Sequence, residues 1–265
     1  MPAPTASTLA EALRPLTEDP KNAGIFLDVD GTLAPIVERA EDAHVPDKTS
    51  RTLGALARRY GCVACVSGRS ATEARRLVGV GRITYAGSHG AELLEPGAAK
   101  ATVLPAFASW TDRVQAFARA RDERDLRLLR VRIEDKGPIV ALHWRGVPDE
   151  DAARTRLEGV AQEAEAEGLR THWGRKVLEI RPPVEVNKGQ AVTELIRRHH
   201  LRAAMFAGDD ATDLDAFDAL DAVPAAVRVG VRSDEGPPAI VERADVVVDG
   251  PQGVTAVLAA LAGEP

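Results

Sequence analysis

Acidic residues follow two short apolar runs of the sequence, at places where strands are expected to end. Asp28 and Asp30 come after the run Ile25–Leu27, and Asp209 follows the run Ala203–Ala207. Carboxylates so close together raise one another's pKa and destabilise a fold unless a cation offsets their charge. Oxygen ligands of this kind suit Mg²⁺, which also keeps waters and a substrate phosphate. The pattern predicts a Mg²⁺ site with Asp28 and Asp209 as carboxylate ligands and Asp30 as a further ligand, through its carboxylate or its backbone carbonyl.

The same positions carry groups that suit hydrolysis of a phosphate ester. Asp28 is the candidate nucleophile, because a carboxylate can attack phosphorus and form an aspartyl-phosphate that water then hydrolyses. Asp30 can protonate the leaving oxygen and then activate the water. The Ser67 hydroxyl, with Gly68 beside it, and Lys188 at the start of a helix are candidate hydrogen-bond donors to the phosphate. We therefore predict Asp28, Asp30, Ser67 and Lys188 as catalytic residues of a phosphomonoesterase.

The elements that must position these groups alternate between strand and helix over the first ninety residues, which is typical of a parallel sheet. The order then changes to a helix, a hairpin, a second helix and a second hairpin. After Pro182 the first alternation resumes. We predict an α/β fold with a Rossmann-like core over 1–103 and 183–265, formed by a parallel sheet with helices on both faces. Residues 104–182 are predicted to form an inserted α/β cap domain that carries substrate specificity.

Three local predictions accompany this arrangement. Residues 1–20 are expected to be a loose leader that ends in a helical turn. Arg127–Ile133 is expected to be a strand. A helix over Thr212–Leu220 is expected to be capped by the Thr212 side chain.

The composition limits the classes of partner. The 265 residues carry a net charge of −6 and a sequence pI near 5.6, which argues against nucleic-acid or anionic-membrane binding. No targeting segment is evident, and the longest apolar stretch, Ala256–Ala262, is too short for a membrane span. Cys62 and Cys65 are expected to be core residues rather than a metal or redox pair. We expect a cytoplasmic monomer that acts on a small molecule.

Four motifs in order resemble those of the haloacid dehalogenase (HAD) superfamily of phosphatases. They are D-x-D-G-T at Asp28–Thr32, Ser67, Lys188, and G-D-D-x-T-D at Gly208–Asp213. Shorter stretches resemble trehalose-6-phosphate phosphatases: Ser67–Arg69, Gly87–Glu92, Glu134–Lys136, Glu179–Pro182 and Asp213–Phe217. Val29 and Leu214 depart from residues common in that family, Tyr and Glu, but neither departure removes a catalytic group.

This resemblance implies Mg²⁺ as the cofactor and trehalose 6-phosphate as the substrate. Asp28 is then the nucleophile and Asp30 the acid and base. The metal is held by Asp28, Asp30 and Asp209, with Asp213 supporting them. The sugar phosphate is bound by Arg69, His89, Gly90, Glu134, Lys136 and Glu179.

Purely structural roles for some of these residues, and other functions for the protein, remain open from the sequence. Ser67 suits a simple turn, Lys188 a surface helix, and His89 a structural hydrogen bond. The enzyme could act on another sugar phosphate, such as sucrose phosphate or a glycosyl-phosphoglycerate. A sugar-phosphate sensor without catalysis is the alternative from a different class, and the intact Asp28 counts against it.

Overall fold

A computed structural model describes residues 6–37, 42–121, 124–184, 187–233 and 236–263. The chain divides into two compact units. The first unit contains Met1–Thr102 and Val186–Pro265, and the second contains Val103–Glu185. Within the described ranges, every helix is too short or too polar to cross a bilayer.

The described strands, in chain order, are β1 (Ala23–Leu27), β2 (Cys62–Val66), β3 (Thr84–Gly87), β4 (Glu92–Leu94), β5 (Thr102–Val103), β6 (Arg132–Asp135), β7 (Val140–His143), β8 (Arg170–Gly174), β9 (Val177–Arg181), β10 (Ala203–Gly208), β11 (Ala225–Arg232) and β12 (Val246–Asp249). The described α-helices are α1 (Ala6–Thr17), α2 (Asp47–Arg59), α3 (Ala71–Val78), α4 (Pro105–Ala120), α5 (Arg124–Leu128), α6 (Glu150–Ala166), α7 (Lys188–Arg198), α8 (Asp213–Ala219), α9 (Pro238–Glu242) and α10 (Gly250–Ala262).

The large sheet of the first unit has the strand order β12-β11-β10-β1-β2-β3-β4-β5 among the described residues. Pairing is parallel from β12 through β3. The central strands β1, β2 and β10 are buried along their whole length. Strands covered on both faces read as continuous apolar runs, which is why Ile25–Leu27 was recognisable as a strand. This sheet confirms the predicted α/β fold class.

Helices cover both faces of the large sheet. On one face Ile25 of β1 belongs to a core cluster with Leu53 of α2 and Leu258 of α10. On the other face the Phe206 ring of β10 meets the Phe217 ring of α8 edge to face, with centroids 6.2 Å apart. The two layers fix the sheet in place and leave its carboxyl edge as the place for polar groups.

Two elements of the first unit differ from what the sequence predicted. The prediction of a loose leader is wrong for residues 6–17, which form helix α1. Residues 1–5 lie outside the described ranges. Leu9, Leu13 and Leu16 are buried in the core, at the spacing of one helix face. β4 was also missed; it runs antiparallel to β3 and is only three residues long.

The second unit is a four-stranded antiparallel sheet, in the order β6-β7-β9-β8 among the described residues. One face of this sheet is apolar, with Val140, Leu142, Leu178 and Ile180 packed in a core with residues of α4 and α6. α6 begins at an Asp149 cap, whose side chain accepts from the Ala152 N–H.

The predicted strand over Arg127–Ile133 is wrong in its first part. Arg124–Leu128 forms helix α5, with Leu126 fully buried. After the helix the chain turns at Arg130, whose φ is 56°, and the Val131 N–H donates to the Leu126 carbonyl. The strand β6 therefore starts only at Arg132 and continues to Asp135, so Glu134 lies within it.

Candidate active site

The carboxyl ends of β1 and β10 meet because the two strands are parallel neighbours. Leu27 lies opposite Ala207 in their register, and the Asp28 N–H donates to the Ala207 carbonyl over 2.9 Å. Asp28 and Asp209 thus leave the sheet at the same edge. Both residues are buried, with 4% and 3% of their surface exposed.

Three buried carboxylates form one cluster at this edge. Asp28, Asp209 and Asp213 each offer an oxygen, and these atoms all lie within 4.8 Å of one another. The Lys188 ammonium bridges two of them, at 2.8 Å from Asp28 Oδ1 and 2.6 Å from Asp213 Oδ1. Three carboxylates therefore share one ammonium, and two negative charges remain without compensation from Lys188.

The electrostatics show the cost of that arrangement. Burial raises the pKa of the Asp28 carboxyl well above its usual value; the Lys188 charge opposes this, and the Asp213 and Asp209 charges add to it. Burial, together with the Asp213 charge, raises the pKa of Asp209 to about 7. Burial by itself lowers the pKa of the Lys188 ammonium, but the Asp213 and Asp28 carboxylates outweigh it and raise that pKa. The cluster thus favours additional positive charge.

Hydrogen bonds hold each member of the cluster. Asp213 Oδ2 accepts from the backbone N–H groups of Asp209 and Asp210, both at 2.9 Å, and the Thr32 hydroxyl donates to Asp209 Oδ1 at 3.2 Å. Gly31 is required beside them, because its φ is +85° and a Cβ there would lie 2.2 Å from Asp209 Oδ2.

The predicted Thr212 cap is wrong. Thr212 has helical backbone angles and makes no side-chain capping bond. The Asp213 carboxylate instead organises the loop before α8, because it accepts from the backbone N–H groups of Asp209 and Asp210. Lys188 lies in the first turn of α7, whose cap is the Asn187 side chain.

The donor set fits a hard divalent cation. The cluster offers only oxygen ligands, and its residual charge is the one that such an ion neutralises. Asp213 already serves Lys188 and two backbone N–H groups, so Asp28 and Asp209 are the carboxylates best suited to direct coordination.

The Asp30 carboxylate is directed differently. It forms a two-pronged ion pair with Arg69, with Nε–Oδ2 at 2.7 Å and Nη2–Oδ1 at 2.6 Å. It is not a member of the three-carboxylate cluster described above. Sequence reasoning missed this pair, because 39 residues separate its partners and only neighbouring strands β1 and β2 bring them together.

The loop after β2 and the turn after β3 also lie together. The Ser67 N–H donates to the Ala86 carbonyl at 2.9 Å, and the His89 N–H donates to the Ser67 carbonyl at 2.9 Å. The Gly68 backbone lies against the His89 ring, which a Cβ would approach to 2.9 Å. Gly90, with φ at +106°, lies close to the Asn187 carbonyl before α7.

In the second unit, three predicted residues lie on or beside the small sheet. Glu134, Ala141 and Glu179 are directly opposite one another on β6, β7 and β9, so the two carboxylates are on one face. Lys136, in the turn after β6, reaches Glu179 Oε1 at 3.3 Å. Ala141 between the two carboxylates is small, and this face is opposite to the apolar one.

Two partners on this face were missed from the sequence. His143 Nε2 lies 2.6 Å from Glu134 Oε2, and Arg181 Nε donates to Glu179 Oε2 at 3.0 Å. The His143 bond is the largest cause that lowers the pKa of Glu134. Alternation along β7 and β9 was the available signal, because both partners lie two residues from a member of the row.

Solved hydrolases share the fold described above. A solved haloacid dehalogenase-like hydrolase from Bacteroides thetaiotaomicron shares this fold at a TM-score of 0.62, with 14% identity over 89% of this chain and 98% of that one. The sequence model described as trehalose-phosphatase matches residues 26–239. The chain belongs to the trehalose-phosphatase family.

Individual relatives agree with that family. A trehalose-phosphate phosphatase from Mycolicibacterium paratuberculosis is 37% identical over 215 residues, covering 77% of this chain and 53% of the relative. A Mycobacterium tuberculosis protein named an uncharacterized glycosyl hydrolase is 38% identical over 76% of this chain. The chain spans about half the length of the first relative and 15% of the second. A crystal structure titled trehalose-6-phosphate phosphatase related protein matches at a TM-score of 0.68 and 27% identity, covering 91% of this chain and 97% of that chain.

Proposed function

We propose that this protein hydrolyses trehalose 6-phosphate to trehalose and phosphate, with Mg²⁺ as cofactor. The observation that carries the proposal is the buried Asp28 carboxylate, which lies at a strand end, is bound to Lys188 at 2.8 Å and has two further carboxylates beside it. A sensor that only binds a sugar phosphate needs no nucleophile at this position. The names of the relatives support the choice of sugar.

The first half of the proposed reaction transfers the phosphoryl group. An Asp28 oxygen attacks phosphorus, and the bond between phosphorus and the sugar oxygen breaks. Asp30 gives its proton to that leaving oxygen. Lys188 and the Ser67 hydroxyl hold the phosphate oxygens, so that one anion can approach another.

The second half regenerates the enzyme. The Asp30 carboxylate takes a proton from water, whose oxygen attacks the phosphorus of the aspartyl-phosphate. The bond between phosphorus and the Asp28 oxygen breaks, which releases phosphate and restores both carboxyl groups. Asp30 is suited to this exchange because its side chain is 41% exposed, whereas the Asp28 side chain is 6% exposed.

Asp28 and Asp209 would hold Mg²⁺ with their carboxylates, and Asp213 would fix Asp209 through its backbone. Asp30, whose carboxylate is engaged by Arg69, would contribute its backbone carbonyl. When bound, the ion neutralises the cluster and lowers the charge barrier to attack on a phosphate.

The sugar is assigned to the polar face of the second unit, where Glu134, Lys136 and Glu179 offer charged hydrogen-bonding groups. Hydroxyl-rich disaccharides need such groups, because a site built to bind a hydroxyl rejects ligands that lack it. In the first unit, Arg69, His89 and Gly90 are proposed to bind phosphate.

The test is phosphate release from a panel of sugar phosphates with Mg²⁺, beside an EDTA control. We expect clear preference for trehalose 6-phosphate and no release in EDTA. Faster release from sucrose phosphate or a glycosyl-phosphoglycerate would retain the chemistry but discard the sugar. Tight binding of a sugar phosphate without release from any of them would establish a sensor instead.

A further inference from the structure

A strained turn joins β3 to β4. Ser88, His89 and Gly90 have φ angles of 51°, 58° and 106°. Residues other than glycine rarely adopt such angles, because they cost free energy unless the surrounding structure imposes them. The structure must therefore contain contacts that hold this turn against relaxation.

Backbone hydrogen bonds lock the turn to the loop that follows β2. The Ser88 N–H donates to the Arg69 carbonyl at 2.7 Å, and the His89 N–H donates to the Ser67 carbonyl at 2.9 Å. A displacement of the turn thus displaces the backbone of Arg69. Arg69 in turn holds both carboxylate oxygens of Asp30.

Glu92, the first residue of β4, anchors this assembly from behind. Its side chain is buried, and its Oε1 accepts from the Ala71 N–H at the start of α3, at 2.7 Å. The Ser88 hydroxyl also donates to the Glu92 carboxylate. Gly87 leaves no spare room, because a Cβ there would lie 2.1 Å from the Ala71 nitrogen and 2.7 Å from Glu92 Oε1.

We propose that Glu92 is a positioning residue for hydrolysis: it ties the strained Ser88 turn to α3 and thereby keeps Arg69 in place beside Asp30. The inference rests on the proposed function, in which Asp30 moves the proton. Loss of the Glu92 carboxylate lets the turn relax and Arg69 withdraw, while the cluster around Asp28 keeps its own contacts. The rate constant kcat then falls, and KM rises with it, because Arg69, His89 and Gly90 are also proposed to bind the phosphate.

The test compares Glu92→Gln and Glu92→Ala with Glu73→Gln. Glu73 is the matched control, because its carboxylate caps the same helix by accepting from the Ser70 hydroxyl and N–H, whereas Glu92 accepts from the Ala71 N–H and the Ser88 hydroxyl. With trehalose 6-phosphate and Mg²⁺ we expect kcat to fall about 10- to 100-fold in the Glu92 variants, as displacement of a catalytic group does. Glu73→Gln should lower Tm but leave kcat within about twofold.

A second arm asks whether Glu92 acts through Arg69. In an Arg69→Lys background the Glu92→Gln change should cost little further turnover, because the contact it protects is already altered. The proposal would be overturned if the losses of kcat from Arg69→Lys and Glu92→Gln multiplied in the double variant. It would also be overturned if Glu92→Gln left kcat unchanged, or lowered it no more than Glu73→Gln does. If Glu92→Ala does not fold, Glu92→Gln decides the matter. The wild-type protein distinguishes the two kinds of failure: if it releases no phosphate from trehalose 6-phosphate, the proposed function is wrong. If it does, the variants test the role of Glu92 alone.

Discussion

The acidic cluster of the first unit and the polar face of the second unit use charge in opposite ways. In the cluster, Asp28, Asp209 and Asp213 are almost fully buried and share the single ammonium of Lys188. On the polar face, the carboxylate of Glu179 has two cationic partners, Lys136 and Arg181. The first site is under-compensated, whereas the second is paired internally.

This difference indicates how each site is used. A buried site with excess negative charge is stabilised by a cation and holds its groups rigidly, which suits bond making at a fixed point. A paired site such as that of the partly buried Glu134 and His143 can exchange one partner for a sugar hydroxyl without leaving a charge unpaired. Five changes to the protein or its conditions test this difference, in order of decreasing effect.

The largest effect is expected from Asp28→Asn. The amide keeps the shape of the side chain but is not a nucleophile, so kcat for trehalose 6-phosphate should fall at least about a thousandfold. Asp218→Asn is the control, because that aspartate is exposed on α8 and pairs with Arg243. Steady-state phosphate release measures both, and a loss of less than tenfold in Asp28→Asn would remove Asp28 from the mechanism.

Replacing Lys188 of the acidic cluster or Lys136 of the polar face should change the free energy of unfolding by different amounts. In EDTA, Lys188→Met should lower the free energy of unfolding by about 3–5 kcal/mol, because it leaves three buried carboxylates without their ammonium. Lys136→Met should cost less than Lys188→Met, because Arg181 still pairs with the buried Glu179 carboxylate. Urea unfolding of both variants gives the comparison, and equal losses would show that the two sites are not different in kind.

The third effect is the pH dependence of the metal-free protein. Asp209 has a pKa of about 7 in the folded state against an ordinary value of 3.8, so the folded state holds this proton more tightly. Stability from this group is therefore present below about pH 4 and is lost as pH rises towards 7. In EDTA the Tm should fall further between pH 5 and 7 in wild type than in Asp209→Asn.

Saturating Mg²⁺ provides the control for that measurement. An ion on the ionised carboxylates should abolish or reverse the decline of Tm, because it favours the deprotonated cluster. An identical pH dependence in wild type and Asp209→Asn would show that Asp209 does not carry the effect.

A smaller effect is expected from Glu179→Gln. Loss of the charge should weaken hydrogen bonding to the sugar and raise KM for trehalose 6-phosphate by about tenfold. Turnover of p-nitrophenyl phosphate, which has no sugar, should fall much less. His143→Asn, which removes the partner of Glu134, should act in the same direction and more weakly. Equal losses on both substrates would argue against sugar recognition by this face.

The smallest effect is expected from Arg243→Ala. Its ion pair with Asp218 is exposed on both sides, and such pairs contribute about 0–1 kcal/mol. The Tm and kcat should therefore stay close to the wild-type values. A large loss in thermal unfolding would mean that surface charge contributes more here than the contrast between the two sites assumes.

Local rules were enough for the parts of the fold that depend on neighbouring residues. Buried strands such as β1 and β10 appear as continuous apolar runs, and the motif residues follow directly from where those strands end. The same rules failed for α1, because an alanine-rich background hides a stripe of three leucines. They also failed for α5, whose buried Leu126 lies among arginines.

The partners of the functional groups depended on the tertiary structure. The sequence already indicated Asp28, Lys188 and Asp209 as candidate site residues, because their residue types and neighbouring motif residues can be read directly from the chain. Only the tertiary structure could bring Arg69 to Asp30, Lys188 to both Asp28 and Asp213, and Glu92 to the Ala71 N–H at the start of α3. Hydrogen bonds and close packing act over a few ångströms in space. The order of residues along the chain does not show which segments, tens or hundreds of residues apart, will come that close together.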